Sequence, residues 1–170
     1  MDLPKRKDMR LTDYDYSQNG AYFVTICTLG RQNLFGTVVG DGFPVPFAVL
    51  NHHGEIIKQH IRAIPDRYAT VTVGNYIVMP NHIHLLVMIT KDCASGTGNP
   101  SPTLGTVVGW FKYQTTKAIN AHAGNAGVKI WQRSYHDHVI RNEDDYLRIS
   151  QYIDENPAKW REDRYYVSDD

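Results

Sequence analysis

The 170-residue chain has only two cysteines, Cys27 and Cys93, and their spacing suits neither a zinc cluster nor a secreted disulfide framework. One lies in an apolar run and the other in a Gly/Ser-rich loop, so both read as free thiols of a reducing compartment. Long apolar runs are missing too. No stretch approaches the roughly 20 residues of a membrane span. The opening Lys5-Arg6-Lys7 leads into Asp8-Met9-Arg10-Leu11-Thr12-Asp13 rather than the apolar core of a signal peptide. These absences predict a cytoplasmic protein with no membrane partner. Internal repeats are also absent, and the length with 42% hydrophobic residues is enough to bury one core. The expectation is one domain over 1–170, with 157–170 as a C-terminal arm.

Net charge is the last absence: 18 Lys+Arg balance 18 Asp+Glu. Taken alone, this argues against a nucleic-acid partner, because phosphate binding leaves a basic footprint. The distribution says otherwise. Residues 1–142 hold 14 bases and 9 acids, whereas 143–170 hold 4 bases and 9 acids, +5 against −5. Neutrality conceals a basic body and an acidic tail.

Turning to what is present, residues 21–29 are β-branched and aromatic and predict a first strand. Glycines and prolines over 30–48 predict an irregular excursion with room for a small hairpin. From Asn51 the apolar positions Ile56, Ile57, Ile61 and Ile64 recur at helical spacing and stop at Pro65. Residues 69–79 alternate as a strand, Pro80-Asn81 breaks the run, and 82–89 resumes it. A polar loop over 91–102 precedes a long amphipathic helix from Thr103 that carries Leu104, Val107, Val108, Phe111 and Ile119 on one stripe. A Gly-rich break leads to a fourth strand over 130–140. A last helix starts at Asn142, with Asp145 completing a capping-box-like pair, and ends near Pro157. The order strand, helix, strand, strand, helix, strand, helix is the split βαβ order, so the fold class is α+β, a ferredoxin-like antiparallel sheet with an extra C-terminal helix.

The chemistry-bearing motif is His82-Ile83-His84. Strand alternation puts Ile83, Leu85, Val87 and Ile89 on one face and both imidazoles on the other. Two imidazoles on one face supply half of a ligand set for a divalent ion. An apolar central strand gains nothing from two buried histidines unless they have partners.

The stretch from Val78 to Val87, Val-Met-Pro-Asn-His-Ile-His-Leu-Leu-Val, resembles the His-hydrophobic-His motif of the REP-associated tyrosine transposases, relatives of the smallest single-tyrosine HUH transposases. Further segments agree in order. They are Lys5-Arg6-Lys7 with Arg10-Leu11, Tyr14-Asp15-Tyr16-Ser17, Gly20-Ala21-Tyr22-Phe23-Val24-Thr25 and Phe111-Lys112. After these come Trp131-Gln132-Arg133-Ser134-Tyr135-His136-Asp137-His138 with Ile140-Arg141, and Tyr152-Ile153 before Asn156-Pro157. The resemblance implies a palm-like domain that holds a divalent ion on His82 and His84 and cleaves single-stranded DNA beside hairpin-forming repeats. A tyrosine attacks the phosphodiester, leaving a 5′-phosphotyrosyl enzyme and a free 3′-hydroxyl.

The resemblance selects Tyr152 as nucleophile from the chain's 11 tyrosines. Tyr146, Ile149 and Ile153 form the core-facing stripe of the last helix, and Tyr152 lies one step round from it. Tyr135 is the alternative. Asn156, four residues on and on the same helix face, corresponds to the polar third ligand of the wider HUH group. Two imidazoles, a carbonyl oxygen and open positions suit Mg2+ or Mn2+ better than a closed zinc site. His136-Asp137-His138 is a second His-X-His; its charged middle residue favours a supporting or DNA-contact role. Lys112, Lys117, Lys129, Arg133 and Arg141 are candidates for the phosphate backbone, and Tyr113, Trp110 and Trp131 for stacking on bases. The expected partner is single-stranded or hairpin DNA, bound by a monomer or homodimer. Rival readings are a metal-dependent hydrolase that uses water, and a hairpin-binding protein that no longer cuts.

Overall fold

The computed structural model describes residues 19–40, 44–90, 102–125 and 127–168. The Lys5-Arg6-Lys7, Arg10-Leu11 and Tyr14-Asp15-Tyr16-Ser17 segments, and the loop over 91–101 with Cys93, lie outside the described residues.

Alternating β-branched and aromatic side chains build β1 (Gly20–Cys27). The chain then turns through a short 3-10 segment, with Gly30 and Arg31 both at positive φ. The strand predicted over 21–29 therefore stops at its cysteine. The Gly/Pro-rich excursion holds the small hairpin expected there, β2 (Gly36–Val39) paired with β3 (Phe47–Leu50). Helix α1 (His52–Arg62) is capped by Asn51, whose side chain accepts from the Gly54 N–H. Pro65 ends that helix by starting another, the single-turn α2 (Ile64–Arg67). Then follow β4 (Val71–Val78), β5 (His82–Ile89), α3 (Leu104–His122), β6 (His136–Ile140) and α4 (Glu143–Glu155).

The main sheet is antiparallel in the order β4-β5-β1-β6, with β5 and β1 central. This is the ferredoxin-like arrangement predicted from element order. One face is the main core, where Tyr22, Val24 and Ile26 of β1 and Ile83, Leu85 and Val87 of β5 pack with Ile57 and Ile61 of α1 and Val107 and Phe111 of α3. On the opposite face α4 lays Ile149 and Ile153 onto Leu86, beside Phe23 and Tyr146. The C-terminal arm covers the rest of that face, where Trp160 and Tyr165 pack with Cys27 and Met79. No helix among the described residues is long and apolar enough to cross a membrane.

Two predicted details differ. The fourth strand is shorter, because Ile130 and Trp131 are buried by side-chain packing, and Trp131 pairs with Thr28 through an isolated bridge only. Asn142 caps α4 by accepting from the Asp145 N–H, but the Asp145 carboxylate does not reach back. It accepts from His138 and Arg148 instead.

Gly54 marks a close approach. A Cβ there would sit 2.2 Å from the Phe35 carbonyl oxygen, which already accepts from the Asn51 N–H. Alanine is the better helix former by up to about 1 kcal/mol. Overpacking against fixed backbone outweighs that gain, so Gly54→Ala is expected to cost about 2 kcal/mol net. Thermal denaturation checks this as a fall in Tm of roughly 4–8 °C; an unchanged or raised Tm would mean that the hairpin yields freely.

Candidate active site

The register of the central strands assembles the site. Thr25 of β1 pairs with His84 on one side and His136 on the other, Cys27 pairs with His82, and Phe23 pairs with His138. All these side chains therefore share the face covered by α4 and the arm. His82 and His84 are fully buried there, 0% and 1% exposed.

Hydrogen bonding fixes how the imidazoles are presented. Asn81 Nδ2 donates to the carbonyls of Arg31 (3.2 Å) and Tyr165 (2.8 Å), which leaves its Oδ1 as an acceptor facing His82 Nδ1 at 2.9 Å. His82 thus carries its hydrogen on Nδ1 and directs a lone pair from Nε2. That lone pair meets His84 Nε2 at 3.1 Å, while Thr25 Oγ1 lies 2.8 Å from His84 Nδ1. A threonine hydroxyl donates or accepts, so it supports either His84 tautomer: Nε2–H toward His82, or a free Nε2 lone pair beside the other.

The donors fit a divalent ion. Two nitrogens 3.1 Å apart subtend roughly a right angle at an ion about 2.1 Å from each, the cis angle of octahedral coordination. Asn156, the C-cap of α4, is 2% exposed, and its Oδ1 is buried with no hydrogen-bond partner, the state of an unused ligand. Among the described residues, His82, His84 and Asp163 form a group whose ligand atoms lie within 4.8 Å of one another.

Burial keeps both imidazoles neutral, as ligands must be. It lowers His82 to about 3, against a smaller opposing effect of the Asn156 side chain. Burial likewise holds His84 well below its ordinary value, reinforced by His82 and Arg164. The unfolded chain therefore binds more protons than the folded one below the ordinary histidine pKa of about 6.5. Stability conferred by neutral burial is present above that value and falls as pH drops toward 3, by up to about 1.4 kcal/mol per pH unit for each histidine. Urea midpoints in EDTA are expected to drop between pH 7.5 and 5.5; equal midpoints would mean that the folded chain takes up these protons as readily as the unfolded one.

Tyr152 is 39% exposed, at the edge of the α4 packing face, with its ring 5.4 Å from His84 and edge-on to Phe23 at 6.0 Å. Burial, and next the Asp163 carboxylate, raise its pKa, so the phenol is un-ionised at neutral pH. A groove of about 570 Å³ opens beside it, lined by Phe23, His138, Arg148, Gln151, Glu155 and Lys159 among others. Tyr135, the other candidate nucleophile, packs against the main core on the opposite face.

The remaining predicted residues separate. Lys112 Nζ donates to the carbonyls of Gln132 (2.5 Å) and Arg133 (3.0 Å), so its ammonium clamps α3 to the segment before β6. Lys117 and Arg133 are exposed. His136 and His138 face the site from β6, on the strand beyond Thr25 and Phe23, and stand outside the ligand group. Trp131 is buried and donates from Nε1 to Thr115, whereas Tyr113 is 64% exposed.

Sequence reasoning missed Thr25, Asn81, Asp163, Arg164 and Tyr165. The arm returns over the histidines, with the Tyr165 ring 4.7 Å and the Trp160 ring 5.9 Å from that of His82. Arg164 stacks over Tyr165 and donates to its hydroxyl. The signal available in the sequence was the aromatic content of an otherwise charged tail.

A family model described as IS200-like transposase matches residues 47–156. An uncharacterized protein of Haemophilus influenzae is 32% identical over 175 residues, covering 95% of this chain and 93% of that protein. A second protein of that organism, described as a REP-associated tyrosine transposase, is 24% identical over 153 residues, 85% of this chain and 74% of its own length. Among solved structures, a REP-associated tyrosine transposase bound to a REP hairpin superposes with a TM-score of 0.60 at 20% identity, covering 88% of this chain and 73% of that one. A chain described as a transposase from Deinococcus radiodurans gives a TM-score of 0.50 at 18% identity, covering 85% and 95%. These two share the fold. With the family match spanning well over half its length, the chain belongs to the IS200-like transposase family.

Proposed function

We propose that this chain is a metal-dependent single-strand DNA endonuclease and transposase that cuts and rejoins DNA beside hairpin-forming, REP-like repeats. One observation carries the reading: the Tyr152 ring stands 5.4 Å from His84, with the unpartnered Asn156 Oδ1 one helical turn further along α4. The whole chain acts as one catalytic unit, with 157–170 as its arm.

His82, His84 and Asn156 would hold the ion, Mg2+ or Mn2+ by donor chemistry. When bound, it polarises a non-bridging oxygen of the scissile phosphate. The chain's own groups do the rest. Asn81 and Thr25 hold the imidazoles in orientation. The Tyr152 oxygen attacks phosphorus as its proton leaves to solvent, and the bond to the 3′-oxygen breaks as that oxygen takes a proton from solvent, giving a 5′-phosphotyrosyl enzyme and a 3′-hydroxyl. Attack of a 3′-hydroxyl on the same phosphorus reverses the step and rejoins the strand.

The groove beside Tyr152 would take the strand. Its cations, Arg148 and Lys159, are paired with Asp145 and Glu155 at the surface, and His138 hydrogen-bonds Asp145. Such exposed pairs are screened by solvent and exchange readily for phosphate. His136, Lys117 and Arg133 would extend the contact to flanking DNA, and exposed Tyr113 offers a stacking surface. Lys112 contributes by fixing the Gln132–Arg133 backbone.

Incubation with single-stranded hairpin oligonucleotides and Mn2+, followed by mapping of modified residues, tests the proposal. The expected product is DNA covalently attached to Tyr152. Cleavage without an adduct would assign the attack to water, and hairpin binding without cleavage would reduce the protein to a binding module.

A further inference from the structure

We infer that Asn75, carried by a bulge of the edge strand β4, is a positioning residue for DNA cleavage: its amide fixes the roll of α4 and so sets where the Tyr152 oxygen stands. The inference rests on the reading of Tyr152 as nucleophile.

The first observation is the bulge. β4 pairs with β5 regularly as far as Val73 opposite Val87 and resumes with Tyr76 opposite Leu85, so Gly74 and Asn75 together oppose Leu86. Val71 and Val73 face the main core, and strict alternation would send Asn75 to that same side. The extra residue turns it over. Asn75 Nδ2 thereby reaches α4 on the opposite face of the sheet. Gly74 makes room for the approach, since a Cβ there would lie 2.8 Å from the Tyr146 hydroxyl oxygen.

The second observation is the grip. Asn75 Nδ2 lies 3.1 Å from the Ser150 carbonyl oxygen, 3.0 Å from Ser150 Oγ and 2.9 Å from Asp154 Oδ1. One side chain thus spans a full turn of α4. His138 holds Asp145 in the first turn, and Asp163 holds Asn156 at the C-cap, so Asn75 supplies a grip between the two ends.

The third point is leverage. Helical periodicity places Ile149 and Ile153, which pack on Leu86, between the Ser150 and Asp154 flank on one side and Tyr152 on the other. Apolar contact is non-directional and lets such a keel rock, whereas hydrogen bonds weaken steeply with angle. Asn75 therefore stops the roll. A tyrosine oxygen reaches roughly 8 Å from the helix axis, so a roll of about 7° shifts it about 1 Å. Misplacement of that size costs on the order of 100-fold in rate.

Three variants test the link. Asn75→Ala removes the grip, and Asp154→Ala loosens it from an exposed position. The reciprocal pair Asn75→Asp with Asp154→Asn restores a donor and an acceptor with the polarity reversed. A trace of labelled hairpin oligonucleotide is mixed with saturating protein and Mn2+, and quenched samples on denaturing gels give the rate of adduct formation at Tyr152. Asn75→Ala is expected to lower the saturated rate about 100-fold and Asp154→Ala about tenfold. Hairpin affinity should be unchanged, and so should Mn2+ affinity, read from the electron paramagnetic resonance signal of free Mn2+. The reciprocal pair should be at least about tenfold faster than Asn75→Asp alone.

A saturated rate equal to the parent's in folded Asn75→Ala would overturn the inference, even with a lowered Tm, by leaving Asn75 a stabilising contact only. If that variant does not fold, Asp154→Ala decides by the same criterion. A slowdown matched by loss of hairpin or Mn2+ affinity would also overturn it, as would a reciprocal pair no faster than Asn75→Asp. Absence of a Tyr152 adduct in the parent would instead sink the nucleophile reading underneath.

Discussion

Tyr152→Phe is expected to fold like its parent, bind hairpin DNA with unchanged affinity, and form no covalent DNA adduct. The phenylalanine ring retains the contacts Tyr152 makes with Phe23 and His84. The loss is therefore confined to chemistry. Removing a nucleophile leaves only what positioning and charge neutralisation supply, so cleavage should fall by at least about 10³-fold. Denaturing electrophoresis of a labelled oligonucleotide reads both adduct and nick. Persistence of the adduct would move the nucleophile elsewhere. Tyr135 is poorly placed to inherit the role, because it packs on the other side of the sheet.

His82→Ala and His84→Ala should have comparable effects by a different route. Each removes an imidazole whose lone pair or ring hydrogen is fixed by a neighbour, Asn81 for His82 and Thr25 for His84. Outer partners of metal-bound histidines are themselves worth 10- to 100-fold in affinity, so loss of a ligand should exceed about 100-fold. Nicking should disappear in step. The changes are structural too, since Asn81 Oδ1 loses its partner and a buried cavity opens; a stability loss of about 2–4 kcal/mol is expected. Calorimetric Mn2+ titrations at low temperature on protein verified as folded separate the two effects. Retained Mn2+ affinity in either folded variant would remove that histidine from the ligand set.

The parts of the site that lie on periodic elements could be read from sequence. Alternation along 82–89 put both histidines on one face, and helical spacing put Asn156 one turn beyond Tyr152; the fold has both features. Element order was enough to give the sheet order. What escaped depends on contacts distant in sequence. Asn81 read as a turn residue, and its job of fixing the His82 tautomer requires the Tyr165 carbonyl, 84 residues away. Asp163 sits in a tail without hydrophobic periodicity, so nothing local says that it returns to the sheet. Lys112 read as a phosphate contact because a lysine on a long helix is usually solvated, whereas here two backbone carbonyls capture it. The fourth strand was overextended because Ile130 and Trp131 are apolar for reasons of side-chain packing, and periodicity cannot distinguish that from strand pairing.

The position of Asn156 at the last turn of α4 carries one more implication. Nucleophile and proposed ligand are separated by four residues of one helix, about 6 Å of rise, and the helix is pinned to the sheet by Ile149 and Ile153. On the proposed roles, the interval between the Tyr152 and Asn156 backbones is set by helical pitch, a ruler that surrounding loops cannot stretch. Substitutions elsewhere can retune which DNA is recognised without disturbing that interval. Inserting or deleting one residue between 152 and 156 rotates one group by about 100° relative to the other.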